Sequence, residues 1–305
     1  MAGVISTGNH PKLLWKGVHR IFQTEYEKHT RECAMVFAEF NSDKAYEEDV
    51  ASAGFGLSVV KPEGSGISYD SHSQQGVSRY THVVYGKGCK VTREEIEDNK
   101  YPQVAKARSS MLRDSQLQTE EVVCADVFNN GFANTGWDGV SLFSTSHPTV
   151  DDGSQSNTLA TAADMTEASI EDLVVQIMNA KDNRGKRIAL KPRKLIVPAN
   201  LAFEAERIVK SVLQNDTANN AVNAIRSMGL FPDGPMVWHY LTDVDAWFIQ
   251  TDLPADRGLK RFNRRPVELA QDNDFDTENA CMKTTMRFSV SYSDWRAVYG
   301  SEGDS

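Results

Sequence analysis

With 305 residues, of which 40% are hydrophobic and 25% charged, the chain has an ordinary globular make-up and enough length for one large core or two smaller ones. Its formal net charge of -9 argues against a surface built to grip nucleic acid, because phosphates are held mainly by Lys and Arg and an acidic surface repels them. Cys33, Cys89, Cys124 and Cys281 form neither a CxxC pair nor a disulfide framework, no signal-like run follows Met1, and no apolar run approaches the ~20 residues that cross a bilayer.

Residues 1 to about 50 read as an extended arm with some helix. Leu14, Val18, Ile21 and Phe22, then Met35, Val36 and Phe37, recur with poor periodicity, so the arm needs neighbours to stay ordered. From Gly54 to Val91 the chain is polar and rich in Gly and Ser. Leu57 and Val59, then Val77, Tyr80, Val83 and Tyr85, sit in strand-like runs on either side of the turn Lys61-Pro62-Glu63-Gly64-Ser65-Gly66. A hairpin this polar cannot build its own core, and an isolated hairpin is marginal in water. Thr92 and Glu95 form a capping box. Pro102 fits the first turn of a second helix that runs to Asn129, roughly 42 Å at ~1.5 Å per residue. Its apolar residues crowd toward the C-terminal end, and Asn129-Asn130-Gly131 stops it.

A strand is expected at Val140–Phe143, followed by a polar loop with His147-Pro148 and a turn at Asp151-Asp152-Gly153. Thr166 caps a helix carrying Ile170, Val174, Ile177 and Met178 on one face. Lys194–Pro198 reads as a buried strand, Asn200–Leu213 as an amphipathic helix, and Asn215–Gly229 as a polar loop. Val237–Leu241 and Ala246–Gln250 read as an antiparallel pair. Strands then follow at Leu259–Phe262, Val267–Ala270 and Met282–Val290, with Trp295 and Tyr299 near the end. The mixture is α+β. The basic runs Lys186–Lys194 and Arg257–Arg265 read as solvated loop charge.

Catalytic signatures are missing. There is no GxSxG elbow, HExxH or phosphate-binding loop, and Gly86-Lys87-Gly88 reads as a strand-end turn. His29 and Cys33 share helical spacing, but two ligands do not make a zinc site. Asp272-Asn273-Asp274-Phe275-Asp276 opens like a calcium loop, yet Thr277 stands in place of the required Gly and Lys283 in place of the closing Glu. No catalytic, cofactor-binding or metal residue is assigned, and the chain reads as a non-enzyme without cofactors.

The order of parts is informative: arm, polar hairpin, long helix, α+β section, returning strands. With Val91-Thr92-Arg93-Glu94-Glu95-Ile96 before the long helix and Asp138-Gly139 with Leu142-Phe143-Ser144 after it, the chain resembles tailed-bacteriophage major capsid proteins of the Hong Kong 97-type fold. Leu195-Ile196-Val197-Pro198, Thr242–Phe248 and Asp294-Trp295-Arg296 add to the resemblance, which spans nearly the whole chain. It implies an N-terminal arm at 1–53, an E-loop hairpin at 54–91, a peripheral (P) domain with the spine helix at 92–165, an axial (A) domain at 166–258 and a return to the P domain at 259–305.

The resemblance further implies hexamers and pentamers closing into an icosahedral shell around packaged double-stranded DNA, assembled in the host cytoplasm and located in the virion. The expected E-loop contacts are Lys61, Glu63, Tyr69 and Arg79, and the expected axial tip carries Asn219, Asn220 and Arg226. An arm starting near Met1 implies no removed propeptide and a separate scaffolding protein. A portal and a decoration protein are further implied partners, with no membrane. Some members cross-link an E-loop Lys to a neighbour's Asn; Lys61 and Lys87 are the hairpin lysines, no matching Asn and Glu stand out, and non-covalent assembly is expected. The alternatives are an encapsulin-type nanocompartment shell and a soluble α+β enzyme.

Overall fold

The computed structural model describes residues 30–92, 94, 101–151, 153–213, 221–274 and 279–304. In chain order the elements are β1 (Ala38–Asn41), β2 (Tyr46–Ala53), β3 (Ser73–Thr81), β4 (Val83–Val91), α1 (Tyr101–Asn129), β5 (His147–Pro148), β6 (Ser154–Gln155) and α2 (Glu167–Met178). They continue with β7 (Pro192–Val197), α3 (Ala202–Lys210), α4 (Ala224–Ser227), β8 (Pro235–Val237), β9 (Trp247–Thr251), β10 (Leu259–Asn273), β11 (Ala280–Tyr292) and β12 (Val298–Ser301). No helix among the described residues is long and apolar enough to cross a membrane.

Among the described residues the first four-stranded sheet has the order β1-β10-β11-β4 and the second β12-β9-β7-β8, while β2-β3 and β5-β6 form two-stranded sheets. α1 is one 29-residue helix, about 43 Å long, and the Gly131 N–H donates to Phe128 O beyond its last turn. Leu112, Gln116, Glu120, Cys124 and Phe128 recur every four residues on its buried face. The apolar stripe is weak because its middle is polar and answered by the sheet: Gln116 Nε2 donates to Thr284 Oγ1 at 2.9 Å. Leu112 packs on Leu269 and Met282. At the C-terminal end Phe128 meets Trp238 and Phe248 at ring distances of 5.3 and 5.1 Å.

α2 begins where Thr166 predicts. The Ser169 N–H donates to Thr166 Oγ1 (3.1 Å) and the Thr166 N–H to Ser169 Oγ (2.9 Å). Ile170, Leu173, Val174 and Ile177 are buried, whereas Met178, expected inward, is exposed. The second sheet, α2, the end of α1 and Trp295–Tyr299 share one core with Cys33, Val36 and Phe37.

Several local expectations are corrected. The incoming arm of the hairpin is β2, which pairs with β3 in register Tyr46↔Thr81 to Ala53↔Ser73, and no strand forms at Leu57 or Val59. β4 belongs to the first sheet, paired with β11, and Gly86-Lys87-Gly88, expected as a strand-end turn, lies in the middle of that pairing. Val140–Phe143 makes only the isolated bridge Thr135↔Ser141, because the segment turns back under α1 to bury Leu142 and Phe143. Residues expected to pair around Thr242-Asp243 do not, since β7 lies between β8 and β9, parallel to one and antiparallel to the other. The two strands expected at 259–270 are the single strand β10, with register shifts around Arg265 that accommodate Pro266. α3 ends at Lys210, leaving Val212 exposed. Across the expected Asp151-Gly153 turn the Thr149 N–H donates to Gly153 O at 2.9 Å, and Asp152 itself lies outside the described residues.

Glu95 of the expected capping box, His29, residues 1–29 of the arm and the 275–278 part of the calcium-like run lie outside the described residues.

Candidate assembly surfaces

Between β2 and β3 the chain runs from Gly54 to His72 without regular structure and without a core of its own. Leu57, Val59, Val60 and Ile67 are 80, 68, 92 and 69% exposed, and Tyr69 is 94% exposed. Each aliphatic side chain stands to gain roughly 1.5–3 kcal/mol on burial. A cluster of bare apolar groups on a projecting loop marks an interaction surface. Lys61 and Glu63 sit on this loop and are exposed. Arg79 is on the arm instead, opposite Glu48 in β2, with its guanidinium 3.8 Å from the Tyr46 ring centre.

The loop is ordered at its base. The Gly56 N–H donates to Asp70 Oδ2 at 2.6 Å and the Ser71 N–H to Asp70 Oδ1 at 2.8 Å. Those backbone donors, followed by Arg184 and Lys186, hold the Asp70 carboxyl below its ordinary range. The arms below are tied to the body: Ser78 Oγ donates to Tyr292 O (2.7 Å), and Tyr80 Oη bonds Ser293 Oγ (2.6 Å). A Cβ added at Gly76 would stand 2.3 Å from Trp137 Cε3, so glycine is needed where the arm crosses that ring.

The second exposed apolar area surrounds α3 and α4: Phe203 is 81% exposed, and Val212, Val222 and Met228 are exposed as well. The bridge Leu213↔Val222 closes the ends of 214–220, and Asn219 and Asn220 lie in that stretch, outside the described residues. Arg226 is described: its N–H is capped by Asn223 Oδ1 and its Nη1 donates to Lys210 O at 2.8 Å.

Sequence reasoning missed an ionic cluster centred on the buried Glu120 and Arg261. Arg31 Nη1 lies 2.8 Å from Glu39 Oε1 and 2.8 Å from Glu120 Oε1. Arg261 reaches the same atoms at 2.9 Å (Nη1 to Glu39) and 2.7 Å (Nη2 to Glu120). The segment before β1, α1 and β10 are thus pinned at one point. Burial opposes the Arg31 charge, but Glu120 and Glu39 outweigh it and push Arg31 above its ordinary value. Next to it, burial raises Glu121, whose Oε2 accepts from the Cys33 N–H at 2.9 Å. Lys260 is also buried, its Nζ 2.5 Å from Asp49 Oδ2. Solvated loop charge is therefore wrong for Lys260 and Arg261: these neighbours point to opposite faces of β10, and both faces are covered, with Asp49 meeting Lys260 and Glu120 meeting Arg261.

The most enzyme-like pair, His147 and Asp138, is buried, with His147 Nδ1 2.6 Å from Asp138 Oδ2 and Nε2 3.1 Å from Asn157 Oδ1. Both ring nitrogens are occupied and the ring is stacked 4.1 Å from Trp295, so the pair acts as a structural tie. Among the described residues no group of His, Cys, Asp and Glu is placed to hold a metal ion.

A family model described as phage capsid protein matches residues 76–301. No curated protein matches the chain. Among solved structures, the chain is similar to the procapsid of bacteriophage JBD30, at 15% identity over 99% of this chain and 77% of that one, with a TM-score of 0.55. It is similar to the capsid of the empty GTA particle at 12% identity over 89% of each chain, TM-score 0.57. The capsid of Myoviridae phage XM1 matches at 10% identity over 100% of both chains, TM-score 0.52.

Proposed function

The chain belongs to the phage capsid protein family, and from that premise we propose that it assembles as hexamers and pentamers into an icosahedral shell enclosing packaged double-stranded DNA. It is a structural protein of the capsid, with the Hong Kong 97-type fold. The observation that carries the proposal is the loop Gly54–His72: its Leu57, Val59, Val60, Ile67 and Tyr69 stand bare among the described residues, and another copy covers them.

Within this reading 1–53 is the N-terminal arm, 54–91 the E-loop unit, 92–165 and 259–305 the P domain, and 166–258 the A domain. Lys61, Glu63 and Tyr69 meet a neighbouring subunit through the loop, and Arg79 braces the arm that carries it. The exposed area of Phe203, Val212, Val222 and Met228, with Arg226 and the Asn219-Asn220 stretch, faces the capsomer axis. The net charge of -9 suits a wall against which DNA is packed without being bound. A scaffolding protein, a portal and a decoration protein complete the assembly in the host cytoplasm.

Negative-stain microscopy of the purified full chain tests this. Closed shells or hexamer sheets are expected, whereas a discrete monomer or dimer at high concentration defeats the proposal. Nucleic acid released from native particles separates a virion from an enzyme-loaded nanocompartment.

A further inference from the structure

The turn Asp182–Lys186 lies far in sequence from the hairpin, between α2 and β7, yet it grips the hairpin at several points. Arg184 Nε donates to Gly54 O at 3.1 Å and Nη2 to Ser71 O at 2.5 Å, so one guanidinium holds both sides of the loop base. Its Nη1 pairs with Asp151 Oδ2 at 2.9 Å, and Asp70 Oδ1 lies 3.9 Å from Nη2. Lys186 Nζ donates to Phe55 O at 2.5 Å, and Asn183 Nδ2 donates to Gln75 Oε1 on β3.

The turn itself is stiff. Asp182 Oδ1 accepts from the N–H groups of Arg184 (2.9 Å) and Lys186 (2.8 Å), and Gly185 takes the φ of +76° that closes it. Behind it stands Arg296, 2% exposed, whose Nε donates to Lys181 O and Nη2 to Asn183 Oδ1, both at 2.8 Å. Arg296 in turn stacks over Trp295 at 4.2 Å.

Apolar packing does not perform this task. A cavity of about 580 Å3 opens beside the arm, lined in part by Val50, Ser52, Trp137, Asn183, Lys186 and Leu253. The arm has room there, and the gripping contacts are polar and directional.

We infer that the Asp182–Lys186 turn is a bracket that sets the direction in which the loop leaves the body, making Arg184 and Lys186 positioning residues for assembly. This rests on the capsid-shell reading above. The bracket is rooted through Arg296 beside β12 of the second sheet, whereas the arms themselves are tied to the end of β11 in the first. Loop direction thus depends on both sheets at once, and a shift of one sheet relative to the other is passed to the loop.

Amide exchange by mass spectrometry on the full chain, with microscopy of its assemblies, tests the inference. In Arg184→Ala/Lys186→Ala, residues 54–57 and 70–72 are expected to exchange at least about tenfold faster, with α1, β10 and β11 unchanged. Assemblies should spread over a wider range of diameters or stay open, and Arg184→Lys, which keeps the charge but not the two-sided grip, should fall between. In the native chain the same residues should lose protection in about 1 M salt, where screening acts over about 3 Å, and the double variant should be insensitive. Unchanged exchange, or a uniform acceleration across the chain, overturns the bracket. If the native chain forms no shells at all, the capsid-shell reading fails, and the bracket still stands or falls on the exchange data.

Discussion

The cluster of Arg31, Glu39, Glu120 and Arg261 shows how a charge-rich run can hide a core contact. Glu120 is fully buried and Arg261 is 3% exposed, so neither falls back on water if its partner is removed. Arg31→Met/Arg261→Met should cost about 3–5 kcal/mol in urea unfolding, because it takes both guanidinium groups from the buried Glu120 carboxylate. A loss below 1 kcal/mol would show the cluster to be wetter than its geometry. His82 offers a pH test. It bridges Ser289 Oγ (2.9 Å) and Ser42 Oγ (3.1 Å), and burial, then Arg287, holds its pKa below the ordinary value. Below about pH 6.5 the unfolded ring takes a proton before the folded one, so the contribution of His82 is fully present above that pH and is lost as pH falls. The thermal midpoint should drop between about pH 7.5 and 5.5, and less steeply in His82→Gln. At this scale the sequence was legible where chemistry is local. Thr166 announces its own cap, while nothing near Arg261 indicates that a glutamate on α1 and another on β1 will close around it.

Among the elements, α1 and the loop make the sharpest contrast. The limits of α1 could be read from Pro102 and Asn129-Asn130-Gly131, since stop signals lie in the chain itself. Its polar buried face could not, because Gln116 is satisfied by Thr284, a residue far away in sequence. Its glycines and serines make the loop look polar in sequence; its apolar side chains matter because they stand exposed among the described residues. Replacing Leu57, Val59 and Val60 together with Ser should leave folded subunits that no longer assemble, seen as normal circular dichroism with a shift from shells to small species in sedimentation. A glutamate-specific protease should cut after the exposed Glu63 in free subunits and be blocked in shells; equal cutting in both would place the loop outside the contact. Thr166→Ala should cost about 1 kcal/mol through the lost cap of α2, measured by thermal unfolding. The strand order of the second sheet stayed out of reach, since sequence neighbours on either side of Thr242-Asp243 are separated in space by β7.

On the scale of the whole molecule, early and late segments close on one another. β1 lies parallel to β10, β4 is completed by β11, and Trp295–Tyr299 enters the same core as Cys33 and Phe37. The arms of the projecting loop are fastened by Tyr292 and Ser293, with 214 positions between Ser78 and its acceptor Tyr292. Such separations delay folding, since loop-closure entropy is spent before the contact is made. They also make the loop's placement conditional on a nearly complete chain. A chain released before Ala280 has no β11 to complete the first sheet and neither Tyr292 nor Ser293 to fasten its loop arms. On the capsid-shell reading, copies terminated early are expected to be missing from purified shells, because the surface their neighbours would accept is never set in place.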